Sequence, residues 1–225
     1  MKITAVRGLP LRCACEPISD ALSTSRARQA LLVLLDTDAG LQGVGEAFTY
    51  GAPLPIMQYL VENTLGPKLI GRDPADIDGI WQTLYISTLA SGRRSMTLGA
   101  ISGIDIALWD LKGKCEHKPI AALLGGRLDR IPSYASGGFY AHGKGLDGLR
   151  RELEGYMQKG YTDAKIKIGR NLDRPHAPLK VLGITADTVT VEEDWQRIRA
   201  AKEIVGDGKL AVDTNASWDR APALE

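Results

Sequence analysis

The sequence predicts an N-terminal α+β domain followed by a domain in which parallel β-strands alternate with α-helices. In the first part of the 225-residue chain, strand patterns come first and helical patterns follow, which is the order expected of an α+β domain. In the last part, strand and helix patterns alternate, and this order is typical of parallel strands that helices cover on both faces. We place the boundary near residue 128, so that the domains span residues 1–128 and 129–225.

Three strands are predicted near the N-terminus. They span residues 2–8, 30–36 and 43–48. Each is rich in aliphatic residues, as expected of a strand that buries at least one face. The turn-rich stretch 36–40 joins the last two strands, which indicates a hairpin.

Two loops of this domain are candidates for substrate binding. The stretch 13–28 is polar and contains Arg26 and Arg28, and its length is unusual for a plain connection. The second loop, 50–53, begins at Tyr50. Because binding residues concentrate on loops held by a rigid scaffold, we predict that these three residues contact a polar, anionic substrate.

Helical patterns fill the rest of the first domain. They cover residues 55–65, 76–88 and 96–114, and a short helix begins at Pro119. The third helix is apolar almost all round and interrupted by small residues, which indicates a buried helix against which other backbones pack closely. We assign its aspartates, Asp105 and Asp110, to hydrogen bonds that hold the helix rather than to catalysis.

The second domain begins with a strand at residues 131–136. It continues with helix 145–159, strand 163–168, helix 192–205 and strand 209–215. In helix 192–205 we assign Trp195, Ile198, Ile204 and Val205 to the apolar face and the charges to the remaining surface. The long connection 170–190 is interpreted either as a lid over the substrate or as an insertion without a function.

Chargeable side chains lie at the C-terminal ends of the last two predicted strands. Lys165 and Lys167 share one strand face, and Asp213 and Asn215 share a face of the next strand, because strand side chains alternate. Such a Lys-x-Lys pair is often only a solvated face, but strands covered on both faces by helices have no solvated face. Since a buried lysine is costly unless it is paired or neutralised, this pattern indicates an active site at the mouth of a barrel.

The composition excludes some classes of partner. The chain has 44% hydrophobic and 24% charged residues and a net charge of +1, without a basic block or stripe, so we expect no nucleic-acid partner. No apolar run reaches the length that spans a bilayer, so we expect no membrane association. Cys13, Cys15 and Cys115 have no spacing typical of metal ligands, which favours reduced thiols and a cytoplasmic protein.

Three segments carry a resemblance to a known family. Residues 100–114 with 119–125 resemble the signature helix of the mandelate racemase and muconate lactonizing enzyme family, in the enolase superfamily. Lys165-Ile-Lys167 resembles the catalytic lysine strand of this family, and Asp213-Thr-Asn215 resembles its first metal-ligand strand. The resemblance implies an α+β capping domain followed by the first part of a modified (β/α) TIM-type barrel, truncated after about three barrel strands.

The resemblance also implies a reaction and a cofactor. Enolase-superfamily enzymes remove the proton next to a carboxylate with a lysine or histidine base, while Mg²⁺ stabilises the resulting enediolate. By the match, Lys167 is the base, and Lys165 contacts the substrate carboxylate and makes Lys167 easier to deprotonate. Asp213 is the first Mg²⁺ ligand, and Asn215 is a polar group at the mouth. The implied partners are a small-molecule carboxylate and further copies of the same chain.

We predict a Mg²⁺-dependent lyase or isomerase that dehydrates or racemises a hydroxy or sugar acid, with a cycloisomerase or epimerase as the alternative. The family's two further carboxylate ligands and second acid or base fall beyond the given residues, the next ligand at about position 240 if βα units have roughly 25–30 residues. We therefore expect the front part of a longer enzyme. The third interpretation is a catalytically incompetent fragment, or a subunit that another chain completes.

Overall fold

The structure is a computed structural model that describes residues 1–49, 51–91, 96–127, 130–174 and 177–219. The chain divides into two compact units, Met1–Cys13 with Arg28–Arg130 and Ala14–Ala27 with Ile131–Glu225. The boundary predicted near residue 128 lies outside the described residues and stays a prediction. Within the described ranges, no helix combines the length and the apolar character that crossing a membrane requires.

A three-stranded sheet begins the chain. Its strands are β1 (Ile3–Ser19), β2 (Thr24–Thr37) and β3 (Gln42–Ala47), hydrogen-bonded in that order. Strands β2 and β3 are antiparallel, with Leu31 opposite Ala47 and Asp36 opposite Gln42, which confirms the predicted hairpin.

The prediction of a loop over residues 13–28 was wrong. Most of these residues belong to β1 and β2, and only residues 20–23 connect the two strands. Half of these residues carry charged or hydroxyl side chains, and only Ser19, Asp20 and Ala21 at the turn are buried, so the stretch lacks the aliphatic pattern on which strand prediction relies. Ladder hydrogen bonds are made by the backbone, and they hold an exposed two-stranded ribbon without an apolar face.

The helices of the first unit come after the sheet in the chain, and their ranges agree closely with the predicted ones. They are α1 (Leu54–Tyr59), which continues as a π-helical segment (Leu60–Leu65), then α2 (Ile77–Ser87), α3 (Met96–Glu116) and α4 (Ile120–Leu123). Helix α2 begins at Ile77, and its N-cap is Asp76, whose carboxylate accepts a hydrogen bond from the backbone N–H of Gly79 (3.2 Å). Such a cap satisfies one of the unpaired N–H groups of the first turn.

Helix α3 packs on the sheet through its small residues. The sheet contributes Leu31, Val33 and Leu35, all fully buried, to a core shared with this helix. Asp110 accepts a hydrogen bond from the backbone N–H of Val44 (2.8 Å) and pairs with the Lys114 ammonium (2.6 Å). The helix-holding role predicted for Asp110 is therefore confirmed, and the same role for Asp105 stays a prediction.

This close packing predicts opposite effects for two glycine-to-alanine substitutions. A Cβ on Gly103 of α3 would lie 2.8 Å from Val33 Cγ2 and 2.9 Å from the backbone Cα of Ala47, so Gly103→Ala should destabilise the protein by about 1–3 kcal/mol. A Cβ on Gly155 would meet no described atom within 4 Å. Because Gly155 lies inside a helix, Gly155→Ala should stabilise the protein by about 0.5–1 kcal/mol. Urea unfolding measures both, and changes of the same sign would contradict the packing.

The second unit is built on a parallel sheet. Its elements are β4 (Ala135–Gly137), α5 (Leu146–Gln158), β5 (Ala164–Lys167), α6 (Pro178–Leu182), α7 (Val191–Val205) and β6 (Leu210–Asp213). The strands pair in parallel in the order β4-β5-β6, which confirms the predicted α+β and β/α architecture. Strand β4 starts four residues later than predicted, since Ile131 is exposed and Pro132 has no N–H for a ladder hydrogen bond.

Helices α5 and α7 pack against the outward face of this sheet. Leu149 and Leu153 of α5, Ile166 of β5 and Ala201 of α7 are fully buried in one cluster. This confirms the predicted direction of the aliphatic residues of β5. The lysines between them therefore project to the opposite face of the sheet.

The predicted faces of α7 need a correction. Trp195, which we assigned to the apolar face, is 41% exposed, whereas Asp194 and Arg197 are only 1% and 4% exposed. The two charges are buried because each finds polar partners in the loops that follow β4 and β5. Burial of a charge is tolerated when hydrogen bonds replace those it made with water.

The long connection after β5 is a folded loop in its described part. A bridge between Asn171 and Val189 closes its base, and the Val189 N–H donates to the carbonyl oxygen of Arg170 (3.0 Å). Helix α6 lies within the loop. Its interpretation as a lid or as an insertion without a function stays a prediction.

Candidate functional site

The two lysines of β5 converge on Asp213 of β6. Lys167 and Asp213 are register partners in the parallel ladder, and the Lys167 Nζ lies 2.6 Å from Asp213 Oδ2. The Lys165 Nζ lies 3.4 Å from the same oxygen. The sheet thus brings together the three charged groups that the strand alternation predicts on one face.

The electrostatics of this cluster keep the carboxylate ionised. The hydrogen bond from Lys167 lowers the pKa of Asp213 to about 2, although burial alone would raise it. The Asn215 N–H and the charges of Lys167 and Lys165 contribute to this lowered pKa. For Lys165, burial favours the neutral amine, but a hydrogen bond with Tyr134 and the charge of Asp213 outweigh it and raise the pKa. Lys165 is therefore a persistent cation in this structure.

Two aromatic rings border the lysines. The Lys165 ammonium lies 5.4 Å from the centre of the Tyr134 ring, and the Lys167 ammonium lies 5.5 Å from that of Phe139. An aromatic face attracts a cation at this distance. Sequence reasoning missed both residues because it placed β4 at 131–136. The correct register, with Ser136 opposite Lys165, puts Tyr134 and Phe139 at either end of the neighbouring strand.

Asn215 does not share a strand face with Asp213, contrary to the prediction. Strand β6 ends at Asp213, and Asn215 lies in the following turn with a positive φ of 46°. Asparagine tolerates this left-handed conformation better than most residues. The Asn215 N–H donates to Asp213 Oδ1 (2.9 Å), while the buried Asn215 Oδ1 has no hydrogen-bond partner among the described residues.

A buried polar network lies behind the lysine strand. Asp194 accepts hydrogen bonds from the Tyr140 hydroxyl (2.7 Å), the Gly169 N–H (2.8 Å) and the Asn171 amide (2.9 Å). Arg197, in turn, donates to the Lys167 carbonyl oxygen (3.2 Å). Burial raises the pKa of Asp194, and the donated hydrogen bonds oppose that rise. The network thus fixes the backbone on both sides of Ile168.

Sequence reasoning missed this network for a definite reason. Asp194 and Arg197 are three residues apart in a helix whose other charges are exposed. Their spacing on its own does not distinguish them from a surface ion pair. The available signal was Arg170-Asn171 directly after the lysine strand, because polar residues at the end of a buried strand need partners.

The predicted substrate-binding residues of the N-terminal region are only partly located. Arg26 and Arg28 are both exposed on β2. Tyr50 lies outside the described residues. Contact of these three residues with a substrate stays a prediction.

The oxygen atoms at the end of β6 suit a hard divalent cation. Among the described residues no group of three or more His, Cys, Asp or Glu side chains could hold a metal ion. Asp213 nevertheless offers an ionised carboxylate, and Asn215 offers a buried amide oxygen that no described residue hydrogen-bonds. Mg²⁺ prefers oxygen ligands and commonly takes only one or two carboxylates from a protein. The donor chemistry therefore fits Mg²⁺.

Comparison with known proteins identifies first the class and then the family. The class is that of enolase-like proteins, since the family model described as "Enolase C-terminal domain-like" matches residues 148–225. The model of the "Mandelate racemase / muconate lactonizing enzyme, N-terminal domain" matches residues 3–125, more than half of the chain. The chain therefore belongs to the mandelate racemase and muconate lactonizing enzyme family of the enolase superfamily, which confirms the resemblance.

Three relatives illustrate the similarity. The arabinonate dehydratase of Saccharolobus solfataricus is 36% identical over 85% of this chain and 46% of its own. The D-galactarolactone cycloisomerase of Agrobacterium fabrum is 33% identical over 100% of this chain and 54% of its own. The solved structure of an enolase-superfamily member from Polaromonas sp. has a TM-score of 0.81 at 31% identity, covering 99% of this chain and 54% of that one. The chain thus spans about half the length of these relatives.

Proposed function

We propose that the whole protein is a Mg²⁺-dependent lyase or isomerase that removes the α-proton of a hydroxy acid or sugar acid. The observation that carries the proposal is the convergence of Lys165 and Lys167 on one oxygen of Asp213 at the end of the parallel sheet. The names of two relatives, a dehydratase and a cycloisomerase, support this reaction class.

Lys167 is the proposed base. Its amine is nearly buried at the C-terminal end of β5, where parallel β/α folds place their reacting groups. In this structure Lys167 donates a hydrogen bond to Asp213, so this pair must separate before the amine can accept a proton.

Lys165 is proposed to hold the substrate carboxylate. Tyr134 and Asp213 keep it protonated, and an ammonium group binds a carboxylate strongly when few water molecules compete. Lys165 is more exposed than Lys167, as suits a group that meets the substrate first. In this proposal Lys165 binds the substrate carboxylate and Lys167 removes the α-proton.

Asp213 is proposed as the first Mg²⁺ ligand, and the amide oxygen of Asn215 faces no competing protein partner in the described chain. When bound, Mg²⁺ supplies the positive charge that stabilises an enediolate. Arg26, Arg28 and Tyr50 keep their proposed contact with the polar remainder of the substrate.

Dehydration of a sugar acid is the preferred reaction, and racemisation is the next preference. After Lys167 takes the α-proton, the β-hydroxyl would take up a proton from an acid and leave as water, and the resulting enol would tautomerise to a 2-keto-3-deoxy acid. The second candidate is a cycloisomerase, which the relative of that name favours, since its match extends over the whole of this chain. Self-association and a cytoplasmic location stay predictions.

The test is exchange of the substrate α-proton in D₂O. The whole protein, freed of metal by a chelator, is incubated with a panel of aldonic and aldaric acids and lactones, with and without Mg²⁺. We expect Mg²⁺-dependent deuterium incorporation and formation of a 2-keto-3-deoxy acid, which NMR detects. Conversion of a lactone into an isomer of the same mass, without loss of water, would favour the cycloisomerase. Absence of exchange from every compound, with the protein folded, would contradict the proposed function and favour an incompetent protein or one completed by another chain.

A further inference from the structure

Arg170 is a fully buried cation three residues beyond Lys167. Its side chain is 0% exposed, and its guanidinium donates to acceptors in two separate segments. They are the carbonyl oxygens of Asp20 (2.8 Å), Ser23 (3.2 Å) and Ala186 (3.0 Å) and the Thr24 hydroxyl (3.1 Å). Such a set uses the planar fork of an arginine and could not be matched by a lysine.

The first segment is the turn between β1 and β2, residues 19–24, which we call the ribbon tip. Its shape is set internally, because the Asp20 carboxylate accepts hydrogen bonds from the backbone N–H groups of Leu22 (2.9 Å) and Ser23 (2.7 Å). Two backbone hydrogen bonds also pair Ser19 with Tyr140 (2.8 and 2.9 Å). The ribbon tip therefore belongs to the second unit.

The second segment is the end of the long loop after β5. Besides Ala186, this segment includes Asp187, which has a positive φ of 55° and whose carboxylate accepts a hydrogen bond from the Ser19 hydroxyl (3.4 Å). Aspartate tolerates this left-handed conformation better than most residues, and the Ser19 hydroxyl holds the Asp187 side chain in place. Arg170 and Ser19 thus hold the loop end and the ribbon tip to each other.

The ribbon tip and the loop end lie near the strand ends that carry the lysines. Tyr140 follows β4 by three residues and Arg170 follows β5 by three, so the ribbon tip packs beside the C-terminal strand ends. The Lys167 and Asp213 side chains lie at these same ends. The backbone N–H of Arg170 also lies 3.4 Å from the Tyr140 hydroxyl, which binds Asp194 of the network that fixes the lysine strand.

We propose that Arg170 is a positioning residue that fixes the ribbon tip and the loop end beside the lysine strand, and so determines which substrates bind productively. The effect on substrates rests on the proposed function, whereas the positioning does not. Arg170 is buried behind its partners and touches no substrate itself. Its loss should therefore loosen the surroundings of the substrate while Lys165 and Lys167 keep their places.

The test compares Arg170→Met with Arg170→Lys in the whole protein. Amide hydrogen exchange should speed up by about tenfold or more at residues 19–24 and 186–189 in Arg170→Met, since several hydrogen bonds to a charged group are lost. Residues 164–167 should change less. Arg170→Lys keeps the charge but not the fork, so it should give an intermediate result. Arg199→Met, which removes an exposed arginine of α7, is the matched control and should leave exchange unchanged.

Kinetics provide the second measurement. For the preferred sugar acid, Arg170→Met should raise KM by about tenfold while kcat falls less, and the discrimination among sugar acids should shrink.

If Arg170→Met fails to fold, Thr24→Val removes a single acceptor of the guanidinium from the ribbon tip and should give a smaller change in the same direction. Unchanged exchange at residues 19–24 in a folded variant would overturn the proposal, as would a fall in kcat alone. A wild-type protein without α-proton exchange would contradict the proposed function, and hydrogen exchange would still decide the positioning role.

Discussion

Replacing Lys167 with alanine is expected to abolish exchange of the substrate α-proton with solvent. Removal of a general base typically lowers the rate by about 10²–10⁴-fold. The fold should survive, because Asp213 keeps its ion pair with Lys165 and its hydrogen bond from the Asn215 N–H. The measurement is deuterium incorporation at the α-carbon by the whole protein with Mg²⁺, with circular dichroism to verify folding.

Three further variants separate the base from the charge. Lys167→Arg keeps a cation next to Asp213 but cannot be deprotonated, so it should be as inactive as the alanine variant. Lys165→Ala should mainly raise KM, since Lys165 is the proposed carboxylate ligand. Lys209→Ala removes an exposed lysine at the opposite end of β6 and should retain full activity. Exchange that persists in Lys167→Ala, in either enantiomer of the substrate, would show that the base is another residue.

The main elements of the fold could be predicted because their apolar residues recur with a clear period. Helix α5 was found in this way, and so was β5, where buried aliphatic residues alternate with lysines. Helix α3 was found instead from a long apolar run interrupted by small residues. The exposed ribbon of β1 and β2 could not be found, because an exposed two-stranded ribbon has no apolar face. Strand β4 was misplaced because its three residues are too few to display a period.

The site could be predicted only where strand geometry determines it. Alternation along β5 and β6 was enough to bring Lys165, Lys167 and Asp213 to one face. Asn215 failed the same rule, since the strand ends at Asp213 and the Asn215 backbone is left-handed. The ribbon-tip partners of Arg170 lie about 150 residues away in the chain, and no local pattern connects residues at that separation.

Replacing Asp194 with alanine is expected to give the largest loss of stability. The variant would leave the Tyr140 hydroxyl, the Gly169 N–H and the Asn171 amide without their acceptor. It would also leave Arg197 as a buried cation without its carboxylate, whose oxygen lies 3.5 Å away. Breaking a buried ion pair by removing one partner costs about 3–5 kcal/mol, because the remaining charge is uncompensated.

Two variants make the test of Asp194 specific. Tyr140→Phe removes one hydrogen bond and keeps the carboxylate, so it should destabilise the protein by only about 1 kcal/mol. Glu192→Ala removes an exposed carboxylate from the first turn of the same helix and should change stability by about 0.5 kcal/mol at most. Urea unfolding of the whole protein measures all three variants. If Asp194→Ala were no more destabilising than Tyr140→Phe, the carboxylate would not be the centre of the network.

Because the same network holds the backbone on both sides of Ile168, any folded Asp194→Ala protein should also place Lys167 less accurately and lose α-proton exchange.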